Sequence, residues 1–172
     1  SFMSKTKGKI LIIDDNEGIR KSLSFVLRQE FEEVETLASP SRYTGFIQSG
    51  LFDVILLDMN FTAGVNNGNE GIYWLRAILK SDPAAVVILI TAYGDVELAV
   101  QGMKEGAIDF IQKPFDTIKL VSLVKTAYQL RQSKMQVAKL QDTQKHLSHE
   151  LNKNYSALIG QSKAISQVMD MV

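Results

Sequence analysis

The chain has 172 residues, 45% hydrophobic and 22% charged, which is the balance of an ordinary globular protein with room for one domain and an appendage. Nineteen basic residues match nineteen acidic ones, and the lack of cysteine excludes disulfides and thiolate metal sites. The sequence holds no apolar run of roughly eighteen residues and no apolar signal core behind its polar N-terminus, so neither a membrane span nor a leader is expected. Ser1 and Phe2 precede Met3, so residues 1–7 read as a tag remnant and a tail.

Lys9–Ile13 is a short apolar run ending in Asp14, Asp15 and Asn16, and reads as a buried strand. Asn16 can cap a helix in which Ile19, Leu23, Val26 and Leu27 recur at helical spacing. Val34–Leu37 is a weaker strand, and Ser39-Pro40 opens a second helix because proline suits the first turn. Asp53–Leu57 is a second buried strand and runs into Asp58. A helix over Glu70–Leu79 follows, then a third buried strand, Val86–Ile90, ending in Thr91. The spacing predicts a helix over Val96–Glu105 stopped by Gly106, then a short strand, Ile108–Ile111, leading to Lys113-Pro114.

Five strands alternate with helices, so the predicted fold is α/β with a parallel sheet covered on both faces. In such folds the polar groups used for function gather beyond the carboxyl ends of the strands. Asp14, Asp15, Asp58, Thr91 and Lys113 all stand at such ends, and the architecture brings them to one rim.

Three carboxylates so close repel one another unless a cation joins them. Magnesium fits, as a hard ion that takes a few carboxylates, a backbone carbonyl and several waters. An aspartate can also attack phosphorus and form an aspartyl phosphate. The metal and Lys113 would then neutralise charge on the equatorial oxygens, and the Thr91 hydroxyl could donate to one of them.

The runs LIIDDN (11–16), VILLDMN (54–60), ILITAYG (88–94) and DFIQKPF (109–115) together resemble the receiver family of two-component response regulators over residues 8–130. The resemblance implies a flavodoxin-like doubly wound (βα)5 fold, here with an extended C-terminal helix. Carried over by position, Asp58 is the phosphoacceptor. Asp15 binds Mg2+ directly and Asp14 mostly through water, with the backbone carbonyl of Asn60 as a further ligand. Thr91, Ala92 and Lys113 bind the phosphoryl group. Thr91 and Phe110 form the switch pair, with Phe110 where tyrosine is commoner. The Lys113-Pro114 bond is cis. The implied partner is a sensor histidine kinase, the implied location is the cytoplasm, and the only chemistry is self-catalysed phosphotransfer and autodephosphorylation rather than enzymatic turnover. One departure is Thr62, where the family usually has proline. Phe61–Glu70 is also about five residues longer than usual, a change expected to alter phosphate access.

After Asp116 the pattern changes. Residues 1–113 carry 11 basic and 15 acidic groups, net −4, and residues 114–172 carry 8 and 4, net +4. The basic excess is spread along a helix and reads as a solvated face, so no nucleic-acid contact and no membrane contact is expected of this chain. A heptad frame places Leu123, Leu130, Val137, Gln144 and Leu151 at one core position, with Thr126, Ser133, Leu140, Leu147 and Asn154 at the other. A parallel dimeric coiled coil over 131–154 is expected. The face of the fourth helix, fifth strand and fifth helix would join it in a homodimer. In residues 155–172 Gly160 interrupts the pattern and Ser162 can cap a new helix. The stretch ALIGQSKAISQVMDMV resembles the opening of the AAA+ ATPase domain of sigma-54-dependent activators, so 155–172 reads as the truncated start of that domain. The ATPase and DNA-binding output domains would lie outside this chain, which has no G-x-x-x-x-G-K-[ST] phosphate loop. A phosphatase of the haloacid dehalogenase type also uses an aspartate nucleophile and magnesium. Its Asp-x-Asp signature is missing here. A receiver-like dimerisation module without phosphotransfer is the alternative reading.

Overall fold

The computed structural model describes residues 4–43, 51–61 and 69–171. The elements in order are β1 (Thr6–Ile13), α1 (Glu17–Arg28), β2 (Phe31–Leu37), a 3-10 turn (Pro40–Arg42), β3 (Val54–Asp58), α2 (Asn69–Ser81), β4 (Val87–Thr91), α3 (Val96–Lys104), β5 (Asp109–Gln112) and α4 (Thr117–Asp170). All five strands pair in parallel, in the order β2-β1-β3-β4-β5. This is the expected doubly wound sheet.

Period-two alternation along the strands divides the core into two clusters. Ile10, Ile12, Val54, Leu56, Ile88 and Ile90 face Leu23 and Leu27 of α1 and Leu120, Val124 and Ala127 of α4. Leu11, Ile13, Ile55, Leu57, Val87 and Leu89 face Ile72, Leu75 and Ile78 of α2. Both faces are covered, so the strands read as unbroken apolar runs and not as alternating ones. On the second face α3 lies so close to β4 that a Cβ on Gly102 would overlap the Leu89 side chain. Gly106 ends α3 at φ 115°, a conformation that favours glycine.

Several boundaries differ from the sequence-based expectation. β1 starts at Thr6, whose N–H donates to Glu30 O at 2.8 Å, and β2 starts at the fully buried Phe31. Pairing at the sheet edge extends both strands past their apolar runs. The second predicted helix shows only its opening 3-10 turn, with the Ser39 side chain capping Ser41 N, because 44–50 lie outside the described residues. A further difference is in α4, where the expected interruption at Gly160 and restart at Ser162 do not occur and the helix runs through to Asp170. One glycine costs a helix only about 1 kcal/mol, and the helix formers around it carry the ladder across.

The chain divides into two compact units, Ser1–Ser133 and Lys134–Val172. The sheet and its helices make up the first. The described part of the second is helical, and Val137, Leu140, Leu147 and Leu151 are exposed along it.

Candidate functional site

Each strand delivers its last residues to one rim. β1 ends in Asp14 and Asp15, β3 in Asp58, β4 in Thr91, and β5 leads to Lys113. Asp58 sits beside Ile90 across the β3–β4 pair, and Lys113 N donates to Thr91 O at 2.9 Å. That bond fixes the lysine next to the end of β4. Carboxylate oxygens of Asp14, Asp15 and Asp58 lie within 4.8 Å of one another. The structure thus brings the predicted acids and the lysine together.

Their surroundings differ. Asp14 and Asp58 are fully buried, while Asp15 is exposed. Asp14 Oδ1 accepts from Asn16 N at 2.9 Å, and Oδ2 lies 3.1 Å from Lys113 Nζ. Asp58 Oδ1 accepts from Asn60 N at 3.2 Å and from Lys113 Nζ at 3.4 Å. Among the described residues, the other Asp58 oxygen, Oδ2, has no hydrogen-bond partner, nor does the buried Thr91 hydroxyl. Asn16 caps α1 as expected, its side chain accepting from Ile19 N at 3.0 Å.

Burial, followed by the Asp14 charge, pushes the Asp58 carboxyl up to about 6. Asp15 is raised by the same two causes in the same order. Burial works against the Lys113 ammonium, yet the Asp58 and Asp14 charges outweigh it and hold the group above the ordinary lysine range. One lysine does not balance three carboxylates, and the excess favours a cation. The donor set of hard oxygens, with a buried Asp58 oxygen left without a partner, fits magnesium.

The other predicted residues fall near this centre. Ala92 follows Thr91, and its carbonyl accepts from Asp95 N at 3.2 Å in the turn before α3. Asn60 Nδ2 reaches Asp95 Oδ2 at 3.5 Å. Phe110 is half-buried, opposite Leu89, and packs against the α2-side cluster. The Lys113-Pro114 bond is cis, as the resemblance implies. Thr62 and the loop to Gly68 lie outside the described residues. Of the expected coiled-coil positions, Leu123 packs against the sheet's own α1-side cluster and Leu130 is partly exposed.

Sequence reasoning missed Arg20. Its Nη1 donates to the Asp14 carbonyl at 2.8 Å and so braces the backbone that carries the acid pair. Its place in the first turn of α1 was the available signal.

The family model for the response regulator receiver domain matches residues 10–125. The chain belongs to this family. The receiver is 28% identical over 159 residues to the C4-dicarboxylate transport transcriptional regulatory protein DctD of Rhizobium meliloti, covering 92% of this chain and 32% of that protein. Among solved structures it is similar to the N-terminal signal receiver domain of a two-component response regulator from Bacteroides fragilis, at 40% identity and a TM-score of 0.64, covering 72% of this chain and 98% of that one. It is also similar to NtrX from Brucella abortus solved with ADP, at 26% identity and a TM-score of 0.69, covering 78% and 30%. The receiver chain therefore spans only about a third of the length of DctD and of NtrX.

Proposed function

We propose that Asp58 accepts a phosphoryl group from a sensor histidine kinase and that α4 passes the change to an output domain outside this chain. The observation that carries the reading is the buried Asp58 carboxylate, which has one oxygen held by Asn60 N and Lys113 and the other free, beside two further acids. In the transfer, an Asp58 oxygen forms the new bond to phosphorus while the bond from phosphorus to the phosphohistidine nitrogen breaks, and that nitrogen keeps the electron pair. Asp14, Asp15, Asp58 and the Asn60 carbonyl would hold magnesium, which when bound supplies positive charge against the developing phosphoryl oxygens. Lys113 adds a second positive charge to those oxygens. Thr91 would give them its hydroxyl, which has no partner among the described residues, and Ala92 would offer its backbone N–H from the next position.

A phosphoryl group adds about −1.5 to −2 charge to this rim. Thr91 and Lys113 would settle on that charge, with Phe110 turning inward as its neighbour moves. Val96, Val100 and Met103 on α3 and Ile118 on α4 are exposed, and that face would become the receiver part of a homodimer. The leucines of α4 would extend the dimer as a coiled coil. The DctD match extends past the 10–125 receiver region and supports a sigma-54-dependent activator as the whole protein, with residues 155–172 opening its AAA+ domain.

The test is transfer from a phosphorylated kinase domain. Label should leave the kinase histidine for this chain in the presence of magnesium and should not do so with Asp58→Asn. Beryllofluoride with magnesium should shift the native chain toward dimer in sedimentation. Label on another residue would reject the acceptor, and an unchanged mass distribution would reject the relay.

A further inference from the structure

The opposite ends of the same strands hold a second charged cluster. Arg131 is fully buried, although it lies on α4 only two residues before the receiver unit ends at Ser133. It follows Leu120, Val124 and Ala127 at helical spacing, so it occupies the last place on the helix's buried face. Its Nη1 is 2.9 Å from Asp82 Oδ2 and its Nε is 3.9 Å from Asp53 Oδ1, ion-pair contacts in which no guanidinium nitrogen has a hydrogen-bond partner among the described residues.

Both acids are tied to the ends of strands. Asp53 precedes β3 and accepts from Lys9 N at 2.9 Å, while Asp82 follows α2 and accepts from Ala84 N at 3.1 Å in the turn before β4. Gln132 Nε2 adds a contact to Asp53 Oδ1 at 3.4 Å. The buried hydroxyl of Tyr43 belongs to the same neighbourhood. Burial first, then the Asp82 charge, push the Tyr43 phenol above its ordinary range, while Arg131 opposes them.

Removing a guanidinium from water is costly, and a buried ion pair is weak ground for stability alone. Apolar residues would serve packing at this position as well. What the fork adds is span, because different nitrogens lie within ion-pair distance of carboxylates on two separate segments, an arrangement that a point charge does not reproduce. We infer that Arg131 is the positioning residue that locks the final receiver turn of α4 onto the heads of β3 and β4, and so sets where the docked helix ends. In the relay proposed above it would be the last receiver residue through which the signal passes. That last step rests on the phosphotransfer reading, but the anchor does not.

Hydrogen exchange read by mass spectrometry on the full chain tests the anchor without any phosphodonor. Arg131→Met and Arg131→Lys keep a stem of similar length, and only the second keeps the charge. Amides of residues 128–133 should exchange at least about tenfold faster in Arg131→Met, with β3 and β4 as protected as in the native chain. Arg131→Lys should restore only part of the lost protection, because one ammonium does not reach both carboxylates as the fork does. Native protection in a folded Arg131→Met chain would overturn the proposal, because apolar contacts would then hold the turn unaided. A second measurement covers variants that do not fold. In the native chain the Arg131 guanidinium should give resolved, slowly exchanging Nη protons by NMR, and averaged, fast-exchanging signals would overturn the anchor.

Discussion

The two ends of the receiver sheet solve the same electrostatic problem in opposite ways. At the carboxyl ends, Asp14, Asp15 and Asp58 meet a single lysine among the described residues, and a buried carboxylate oxygen and a buried hydroxyl have no partner there. At the amino ends, Asp53 and Asp82 meet Arg131, and each acid also accepts from a backbone N–H. The first cluster is left short of donors and positive charge, so it can take in a cation and an anion. The second is closed by a buried guanidinium, although neither its nitrogens nor the Tyr43 hydroxyl has a hydrogen-bond partner among the described residues. Polar groups left unsatisfied in a core cost free energy, and at the carboxyl ends a bound ligand would remove that cost.

The largest effect expected from breaking this contrast is at the closed end. Asp82→Ala leaves the buried Arg131 cation without its nearest carboxylate and should cost about 3–5 kcal/mol in urea denaturation. A loss well under 1 kcal/mol would mean that the pair is not sealed from water.

At the open end the sign reverses. The folded Asp58 carboxyl titrates at about 6, above its unfolded value of 3.8, so the folded state binds the proton more tightly. Without metal, stability should therefore fall as pH rises from about 4 to about 6, by roughly 3 kcal/mol from this group. Asp58→Asn should remove that slope and be more stable than the native chain at pH 7 in EDTA. Magnesium should recover part of the difference in the native chain only. Equal stabilities of native and Asp58→Asn protein at pH 7 in EDTA would show that the rim carries no stored repulsion.

Lys113→Met should slow labelling by acetyl phosphate about 10²-fold in a stopped time course, as expected when one charge-stabilising donor is lost. An unchanged rate would leave Lys113 as a structural counter-charge. The smallest effect belongs to neither end. Gly102→Ala should cost about 1–3 kcal/mol by thermal unfolding, because the new methyl must displace Leu89. It also controls for a general loosening of the sheet.

The open end was legible in the sequence because its chemistry rests on residue types that seldom end apolar runs. Asp14, Asp15, Asp58, Thr91 and Lys113 each interrupt such a run at a strand end, and the parallel fold converts that position into proximity. The parallel pairing of the strands followed from the alternation of strands and helices. The closed end was not legible, because Arg131 stands in a stretch rich in polar residues and its partners are 49 and 78 positions away by the numbering. Its one signal was an arginine in register with Leu120, Val124 and Ala127. Leu123 was assigned to the coiled-coil frame because heptad and receiver-face spacings coincide over the first turns of α4, and only packing separates them. Gly160 was read as a break because a propensity cost was taken for a boundary, although nothing in the helix opposes its continuation.

The central claim is that the free oxygen of Asp58 can be phosphorylated when magnesium is present. Intact mass of the whole chain before and after incubation with acetyl phosphate and magnesium tests it most directly. The account predicts a gain of one phosphoryl group that is lost with EDTA and absent in Asp58→Asn. A folded native chain that stays unmodified, or an Asp58→Asn chain that is labelled to the same extent, would contradict it.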